Sequence, residues 1–416
     1  MALNPFLKTL YKKKKEFSFL LLFFFYISII FFNSQGTHNT ESWIEWVEYA
    51  NKYGILEGYK YKVTTYPPLS VLILKFFYNL TSFFKNDIEI FYAIKISIFF
   101  FFLLSSIIIY FYSSNIKIAI FYILTFLISS IGLNDLDVFF ATFLIISFFF
   151  LKKKNLFLFT LFYGFSVLSK WQPIIIAPIL LIYITKYKIN KKINLINIKN
   201  YFLNVKNCIL AFFFLCLIFF GTYGFLPIIK SLYVSINHNY LSGNALNYNW
   251  IVTWFLKTYD ATTYGPIIDG RITYTKILSK NILIYSGQIL FISTYIYLIL
   301  NFLLLKKRDI TNLLLFCATV SFSYFIFNKG VHQNHLFLSV FLFILAYNEN
   351  SKFFTYMLLT AIIFNMNLFI FYGPTGVGVI ETVINKSFDL SIAISILNIF
   401  ILIRLIMSLK IKYKKK

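Results

Sequence analysis

Cysteine, arginine and acidic residues are all scarce in this chain of 416 residues. The three cysteines, Cys208, Cys216 and Cys317, lie in or at the edge of apolar runs. Their spacing fits neither a disulfide framework nor a zinc site, so they read as small buried hydrophobes. No small-residue cleavage site follows the first apolar run, Phe17–Phe32, which therefore predicts a retained signal-anchor helix behind its basic flank. Neither an internal repeat nor a separable soluble domain is visible. Asp and Glu number 15 against 39 Lys and Arg, a formal net charge of +24. That excess does not point to nucleic acid. The cations cluster at the ends of apolar segments (Lys12–Lys15, Lys152–Lys154, Lys186–Lys192, Lys306–Arg308, Lys414–Lys416) rather than on an aromatic-interleaved face, as the positive-inside rule describes. The abundance of Lys, Asn, Ile and Phe also matches AT-rich coding drift.

What the chain has in abundance is apolar sequence, with 59% hydrophobic residues and a mean hydropathy of +0.75. Many runs reach the roughly 20 apolar residues that a bilayer-spanning helix needs. The expectation is an all-α polytopic bundle forming a single integral membrane domain over 1–416. Lys12–Lys15 place the N-terminus inside. Counting every later apolar run as a span would put Lys152–Lys154 outside, against the positive-inside rule. The weakest run, Leu69–Phe84, resolves the conflict if it does not cross. It is interrupted by Lys75, Asn79 and Ser82, follows Pro67–Pro68, and reads as an interfacial or re-entrant helix. Twelve spans then fall near 17–35, 90–113, 117–133, 135–151, 156–171, 173–187, 206–228, 282–305, 309–328, 334–348, 351–373 and 388–408. Both termini are inside, with outer loops over 33–89 and 229–281 and a basic inner loop over 188–205. On this topology all four histidines lie outside, as does every carboxylate except Glu16, Asp309 and Glu349. A plain membrane anchor has no reason for that asymmetry, whereas an enzyme working at one membrane face does.

The first outer loop carries Glu41, Glu45 and Glu48, spaced four and three apart and so on one helical face; Trp43 and Trp46 share another, extended by Val47 and Ala50. This predicts an interfacial helix with an acidic stripe and aromatic anchors, Glu41 lying at its start where a carboxylate suits the helix dipole. Tyr66-Pro67-Pro68 fixes the loop's return to the membrane. Asp135 and Asp137 sit at one span mouth and Lys170, with Gln172, at the next. Charges at membrane depth are costly unless paired or facing a polar cavity. Either an Asp–Lys pair joins the two mouths, or Lys170 is a cation for phosphate. The second outer loop, with His238, Asn244 and Asn247 among Tyr and Trp, has the vocabulary of sugar binding: amides for hydroxyls and rings for the pyranose face. Arg271, one of three arginines, is a second phosphate candidate. His332 and His335, three apart, suit hydrogen bonding or charge donation to phosphate better than metal binding, because no third ligand stands at a fixed spacing.

Taken in order, these segments resemble the GT-C superfamily of polytopic glycosyltransferases, above all the dolichyl-phosphate-glucose glucosyltransferase type and its bacterial relatives. The ordered motifs are an outer loop with an acid before a Trp, Tyr-Pro-Pro, the Asp motif, Lys-x-Gln-Pro, Leu-Ser-Gly-Asn-Ala-Leu-Asn and Val-His-x-Asn-His, over residues 36–340. The resemblance implies a hexose donor carried on a polyprenyl phosphate, a lipid-linked or surface glycan acceptor at the outer or lumenal face, and no metal or other cofactor. One departure concerns the base. The family places an aspartate about seven residues before a Trp; counting back from Trp46, this chain has Asn39, with His38 before it and Glu41 after it. An amide cannot take a proton at neutral pH, so Glu41 is the first candidate for the base and His38 the second. Trp43, Tyr66, Asp135, Asp137, Lys170, Gln172, His238, Asn244, Asn247, Arg271, His332 and His335 are then the substrate-binding candidates. The rival readings are a non-catalytic relative and a transporter or flippase for lipid-linked glycan intermediates. Short loops and AT-rich character favour a bacterial inner membrane over the endoplasmic reticulum. Membrane lipids are the expected surroundings, and no protein partner is indicated.

Overall fold

The structure, a computed structural model, describes residues 14–62, 65–84, 89–185, 195–238, 240–269, 271–273, 275, 282–378, 383–385 and 388–409. The expected basic clusters at Lys12–Lys13, Lys186–Lys192 and Lys414–Lys416 lie outside the described residues, as does 188–194 of the expected inner loop. The chain is helical almost throughout. The first half comprises α1 (Lys14–Ile29), α2 (Asn39–Lys62), α3 (Pro68–Phe84), α4 (Ile90–Ser113), α5 (Ile116–Leu127), α6 (Asp137–Lys152), α7 (Leu156–Ser169), α8 (Ala177–Thr185), α9 (Leu195–Tyr223) and α10 (Phe225–Ile236). The second half comprises α11 (Tyr248–Tyr259), α12 (Ala261–Tyr264), α13 (Ile282–Leu304), α14 (Ile310–Phe327), α15 (Phe337–Glu349), α16 (Phe354–Tyr372) and α17 (Leu390–Ser408). Among the described residues, two short strand pairs accompany the helices. β1 (Ser242–Gly243) runs parallel to β2 (Val331–His332), and β3 (Val383–Asn385) antiparallel to β4 (Phe388–Asp389).

Among the described residues, six helices are long and apolar enough to cross a bilayer: Ile90–Ser113, Val205–Tyr223, Ile282–Leu304, Ile310–Phe327, Ser351–Tyr372 and Leu390–Ser408. Shorter apolar helices stand beside them, and the chain is a membrane-embedded helical protein. Their surroundings differ. Every residue of α15 from Phe337 to Ala346 is buried, and α14 is buried on nearly all faces, as befits central helices that are apolar all round. By contrast α9 exposes Ile209, Leu210, Phe212, Phe213, Phe214 and Leu217. So large an apolar surface belongs against lipid. Several helices begin where an Asn or Asp side chain accepts a backbone N–H of the first turn: Asn115, Asn155, Asn247, Asp309 and Asp389 start α5, α7, α11, α14 and α17.

Three boundaries differ from the sequence reading. The span expected over 206–228 breaks at Gly224, whose φ of 78° ends α9 and turns the chain into α10. At its other end α9 reaches back to Leu195, into the stretch expected as inner loop. Within the outer stretch over 33–89 lie the two helices that the sequence predicts, and the first, α2, runs on past Ala50 to Lys62. It reverses at Gly54 (φ 81°), so the second half folds back on the first. Gly58 then lies against Ala50 and Tyr49, where a Cβ would come within 2.9 Å of their backbone. A side chain at Gly58 would prise the two halves apart.

The loops at one end of the bundle are stitched together. Ser34 Oγ donates to the carbonyls of Ile131 and Gly132 at 2.9 and 2.8 Å, and the Thr37 N–H donates to the Leu133 carbonyl. Gly36 N–H meets the Thr375 carbonyl, and β1 pairs with β2 at the same end. The opposite end carries Glu16, hydrogen-bonded by Tyr110, and the Lys152–Glu349 ion pair.

Candidate functional site

The stitched end begins with a distortion in α5. After Leu127 the helix widens into a π turn, Ile128–Gly132, closed by the Leu133 N–H on the Ile128 carbonyl. Asn134 follows with φ 60°, and the Asp135 N–H then returns to the Ser129 carbonyl at 2.9 Å. This local path brings Asp135 and Asp137 together at the head of α6. Ser129 Oγ donates to Asp135 at 3.0 Å. Asn334 Nδ2 donates to Asp137 at 3.0 Å and reaches Asp135 at 3.5 Å. Lys170 Nζ lies 2.5 Å from the other Asp137 oxygen, and both side chains are buried. Of the two expectations for Lys170, the structure displays the pairing with an aspartate across the two mouths.

Beyond this network lie the histidines. The β1–β2 pair sets Gly243 flat against the His332 ring, where a Cβ would overlap Nδ1. His332 and His335 cap each other: the His332 side chain accepts the His335 backbone N–H, and His335 Nδ1 accepts the His332 N–H at 3.3 Å. An imidazole that accepts through one nitrogen is neutral and carries its proton on the other. Burial pushes His332 down to about 3, helped by the nearby charges of His238, Lys170 and His38. His238 is also lowered by burial. At neutral pH these rings are therefore N–H donors without charge, so the expected donation of charge to a phosphate narrows to donation of hydrogen bonds.

Both motifs face one cavity of about 810 Å³. Its aromatic wall is a cluster in which Trp43 lies 4.5 Å from Trp46 and 5.0 Å from Tyr66, ring centre to ring centre. Trp43 Nε1 donates to the Asn134 carbonyl at 3.2 Å, joining this wall to the aspartate loop. The Tyr66 carbonyl accepts from Tyr59 and Ser231, and Ser231 Oγ accepts from Trp171 Nε1, so the Tyr-Pro-Pro turn is pinned from three sides. Gln172 Nε2 donates to the His335 carbonyl and couples Lys-x-Gln-Pro to the histidine turn. Glu45 and Lys62 also line the cavity, 2.9 Å apart and each partly exposed.

Eight of the residues singled out in the sequence lie on this wall: Asn39, Trp43, Tyr66, Lys170, Gln172, His238, His332 and His335. Asp135 and Asp137 stand behind it, reaching it through Asn334 and Lys170. Five lie elsewhere. Glu41 is exposed and contributes nothing to the cavity wall, and His38 is exposed with its ring 6.4 Å from that of Tyr372. Asn244 donates to the Tyr372 hydroxyl at 3.2 Å. Asn247 is consumed as the α11 cap and as a donor to the Phe325 carbonyl. Arg271 is exposed, its backbone bridged to Ile268. The acidic stripe and aromatic stripe of α2 are as the spacing predicts: Glu41, Glu45 and Glu48 exposed, Trp43, Trp46, Val47 and Ala50 buried.

The sequence reading passed over Asn334, Ser129, Trp171, Tyr324 and Lys62. Asn334 stands inside the His-Gln-Asn-His quartet, so a signal was present; Lys62 sits in Tyr-Lys-Tyr-Lys and gave none. Among the described residues, no group of three His, Cys, Asp or Glu is placed to hold a metal. The chain matches no protein-family model, and no curated protein aligns with it significantly.

Proposed function

We propose that this protein is a glycosyltransferase that moves a hexose from a polyprenyl-phosphate donor to a lipid-linked or surface glycan acceptor. The observation that carries the reading is the convergence of five separated polar segments on one aromatic-walled cavity at one end of a membrane bundle. These are Asn39–Trp46, Tyr66, Lys170–Gln172, His238 and His332–His335. Indole and phenol rings cover a pyranose face, while the Asn39, Asn328 and Asn334 amides and neutral histidine N–H groups suit hydroxyls and phosphate oxygens. The resemblance of the ordered motifs to the GT-C superfamily points the same way.

In this reading the chain crosses the membrane twelve times with both termini inside, α3 lies in the interface, and the cavity opens at the outer face of a bacterial inner membrane. The acceptor hydroxyl attacks the anomeric carbon on the face opposite the phosphate. The bond from that carbon to the phosphate oxygen breaks, the phosphate leaves with the electron pair, and configuration inverts. Histidine N–H donors stabilise the charge that grows on phosphate. A lone phosphate leaving group needs no protonation, so a single base on the acceptor side suffices. A second reading, a binding protein for lipid-linked sugar, is favoured by the amide of Asn39 where the family places its base.

The test is transfer from radiolabelled glucosyl, mannosyl and galactosyl polyprenyl phosphates, with host lipid as acceptor, in membranes holding the chain. The comparison is Ser42→Trp, which fills the cavity from its wall. The expected result is transfer from one donor, abolished by Ser42→Trp at equal abundance. Absence of transfer from every donor, with the wild-type chain present in the membrane, overturns the catalytic reading.

A further inference from the structure

Two charged side chains at the cavity have no role in the buried network, and they are paired with each other. Among the described residues that line the cavity, Glu45 is the one carboxylate. Glu41 is off the wall, and both aspartates stand behind it with Asn334 and Lys170 engaged on them. Lys170 is the other lysine on the wall, but it is buried and committed to Asp137. The histidines are neutral. Lys62 is therefore the wall cation that can move to an incoming anion. Its position is built, because it comes back over Glu45 only through the reversal at Gly54 and the close seat of Gly58 on Ala50. The Glu45–Lys62 contact is 2.9 Å, Lys62 also lies 5.3 Å from the Tyr49 ring centre, and both charged groups are reached by solvent. An exposed pair of this kind is held weakly and exchanges readily for a stronger partner. A phosphate is such a partner for an ammonium group.

We propose that Glu45 and Lys62 form a latch opened by the donor: the donor phosphate draws Lys62 away, and the carboxylate released from it is the base for the acceptor hydroxyl. The proposal rests on the glycosyl-transfer reading. In the step itself the acceptor O–H bond breaks as its oxygen bonds to the anomeric carbon. Glu45 takes the proton, the phosphate departs with the electrons of the broken bond, and the protonated Glu45 returns its proton to water. Until a phosphate arrives, Lys62 competes with the acceptor for the carboxylate. The latch therefore makes release of the base wait for the donor, so that an acceptor bound without donor is not activated.

Two measurements on the full-length chain separate the latch from the reading it rests on. The first is quenching of the cavity tryptophans Trp43, Trp46 and Trp171 by a short polyprenyl phosphate without sugar. Lys62→Met should weaken its binding roughly tenfold to a hundredfold, as expected for loss of a charge-assisted contact. Lys62→Arg should retain it, and Glu45→Gln should bind at least as tightly as wild type because the competitor is gone. The second is transfer. Glu45→Gln should lower kcat by about 10² to 10⁴ with the donor KM unchanged or lower, whereas Lys62→Met should act chiefly by raising donor KM. Phosphate binding indifferent to Lys62→Met overturns the latch whether or not transfer is seen. Wild-type transfer with full activity in Glu45→Gln overturns Glu45 as base while leaving the glycosyltransferase reading intact. Transfer absent in wild type, with Lys62-dependent binding present, overturns the transfer reading and the catalytic half of the latch together.

Discussion

Asp137 and Lys170, 33 residues apart in sequence, meet at 2.5 Å with 0% and 7% of their side chains exposed. Asn334 takes the second oxygen of Asp137, so the carboxylate is engaged on both sides. Removing one partner of a buried pair strands the other charge, which costs about 3–5 kcal/mol. Lys170→Met should therefore lower stability by about that amount, and adding Asp137→Asn should restore much of it. Thermal unfolding of both variants in detergent tests this. Equal loss in the single and double variants would mean that the pair is not what holds the two mouths together.

The reciprocal histidine cap predicts how stability depends on pH. His332 titrates near 6.5 when unfolded but is pushed down to about 3 in the fold by burial. Above 6.5 both states hold it neutral and it contributes no slope. As pH falls below 6.5 the unfolded chain gains a proton that the folded chain refuses, so stability drops progressively towards the folded value. His238, also lowered by burial, acts in the same direction. Unfolding midpoints measured from pH 8 to pH 5 should fall on acidification, and His332→Gln should flatten the slope. A His332→Gln profile as steep as wild type would contradict this assignment.

How far the sequence reaches is clearest in α2. The spacing of Glu41, Glu45 and Glu48 against Trp43 and Trp46 yields the two faces, because 3.6 residues per turn is a local property. Which glutamate overlies the cavity is not local. It depends on the reversal at Gly54 and on where Asn134 receives the Trp43 indole, and neither leaves a periodic signal. For the same reason Asn39 and Glu45 reach the wall while Glu41 does not. Residue chemistry alone also does not place Asn244, Asn247 and Arg271, which lie off the cavity wall. Amides serve caps and carbonyls as readily as sugar hydroxyls, and their partners here are supplied by distant helices. The ordered motifs were legible because each sits at a helix end, and those ends are gathered at one end of the bundle.

Lys95 shows the opposite case, a buried cation that no motif announced. Five residues into α4, it is fully buried and donates to Ser34 Oγ at 2.9 Å and to the Ile131 carbonyl in the π turn at 2.7 Å. It thus holds the widened turn that delivers Asp135. Lys95→Met keeps the apolar length but withdraws the donors, leaving the Ile131 carbonyl to Ser34 alone at a cost of about 1–3 kcal/mol. The expected outcome is that loss in unfolding free energy, together with weaker protection of the Asp135 amide in hydrogen exchange. Unchanged protection at Asp135 would show that the π turn stands without Lys95.

Gly243 offers the sharpest test of how the two halves of the site are joined. It is paired with His332 through β1 and β2 and has no room for a Cβ, which would overlap the imidazole at Nδ1. Its backbone is not in the left-handed region, so the constraint is contact rather than conformation. Gly243→Ala must displace either the strand pair or the ring, and overpacking of this kind costs about 1–3 kcal/mol. If the ring yields, the reciprocal cap opens and the His332 proton-binding nitrogen is freed, so the acid slope of stability should shrink alongside the midpoint. If the strand yields, the midpoint should fall while the slope remains. Gly243→Ala unfolding with wild-type midpoint and slope would mean that β1 does not seat against His332 as described.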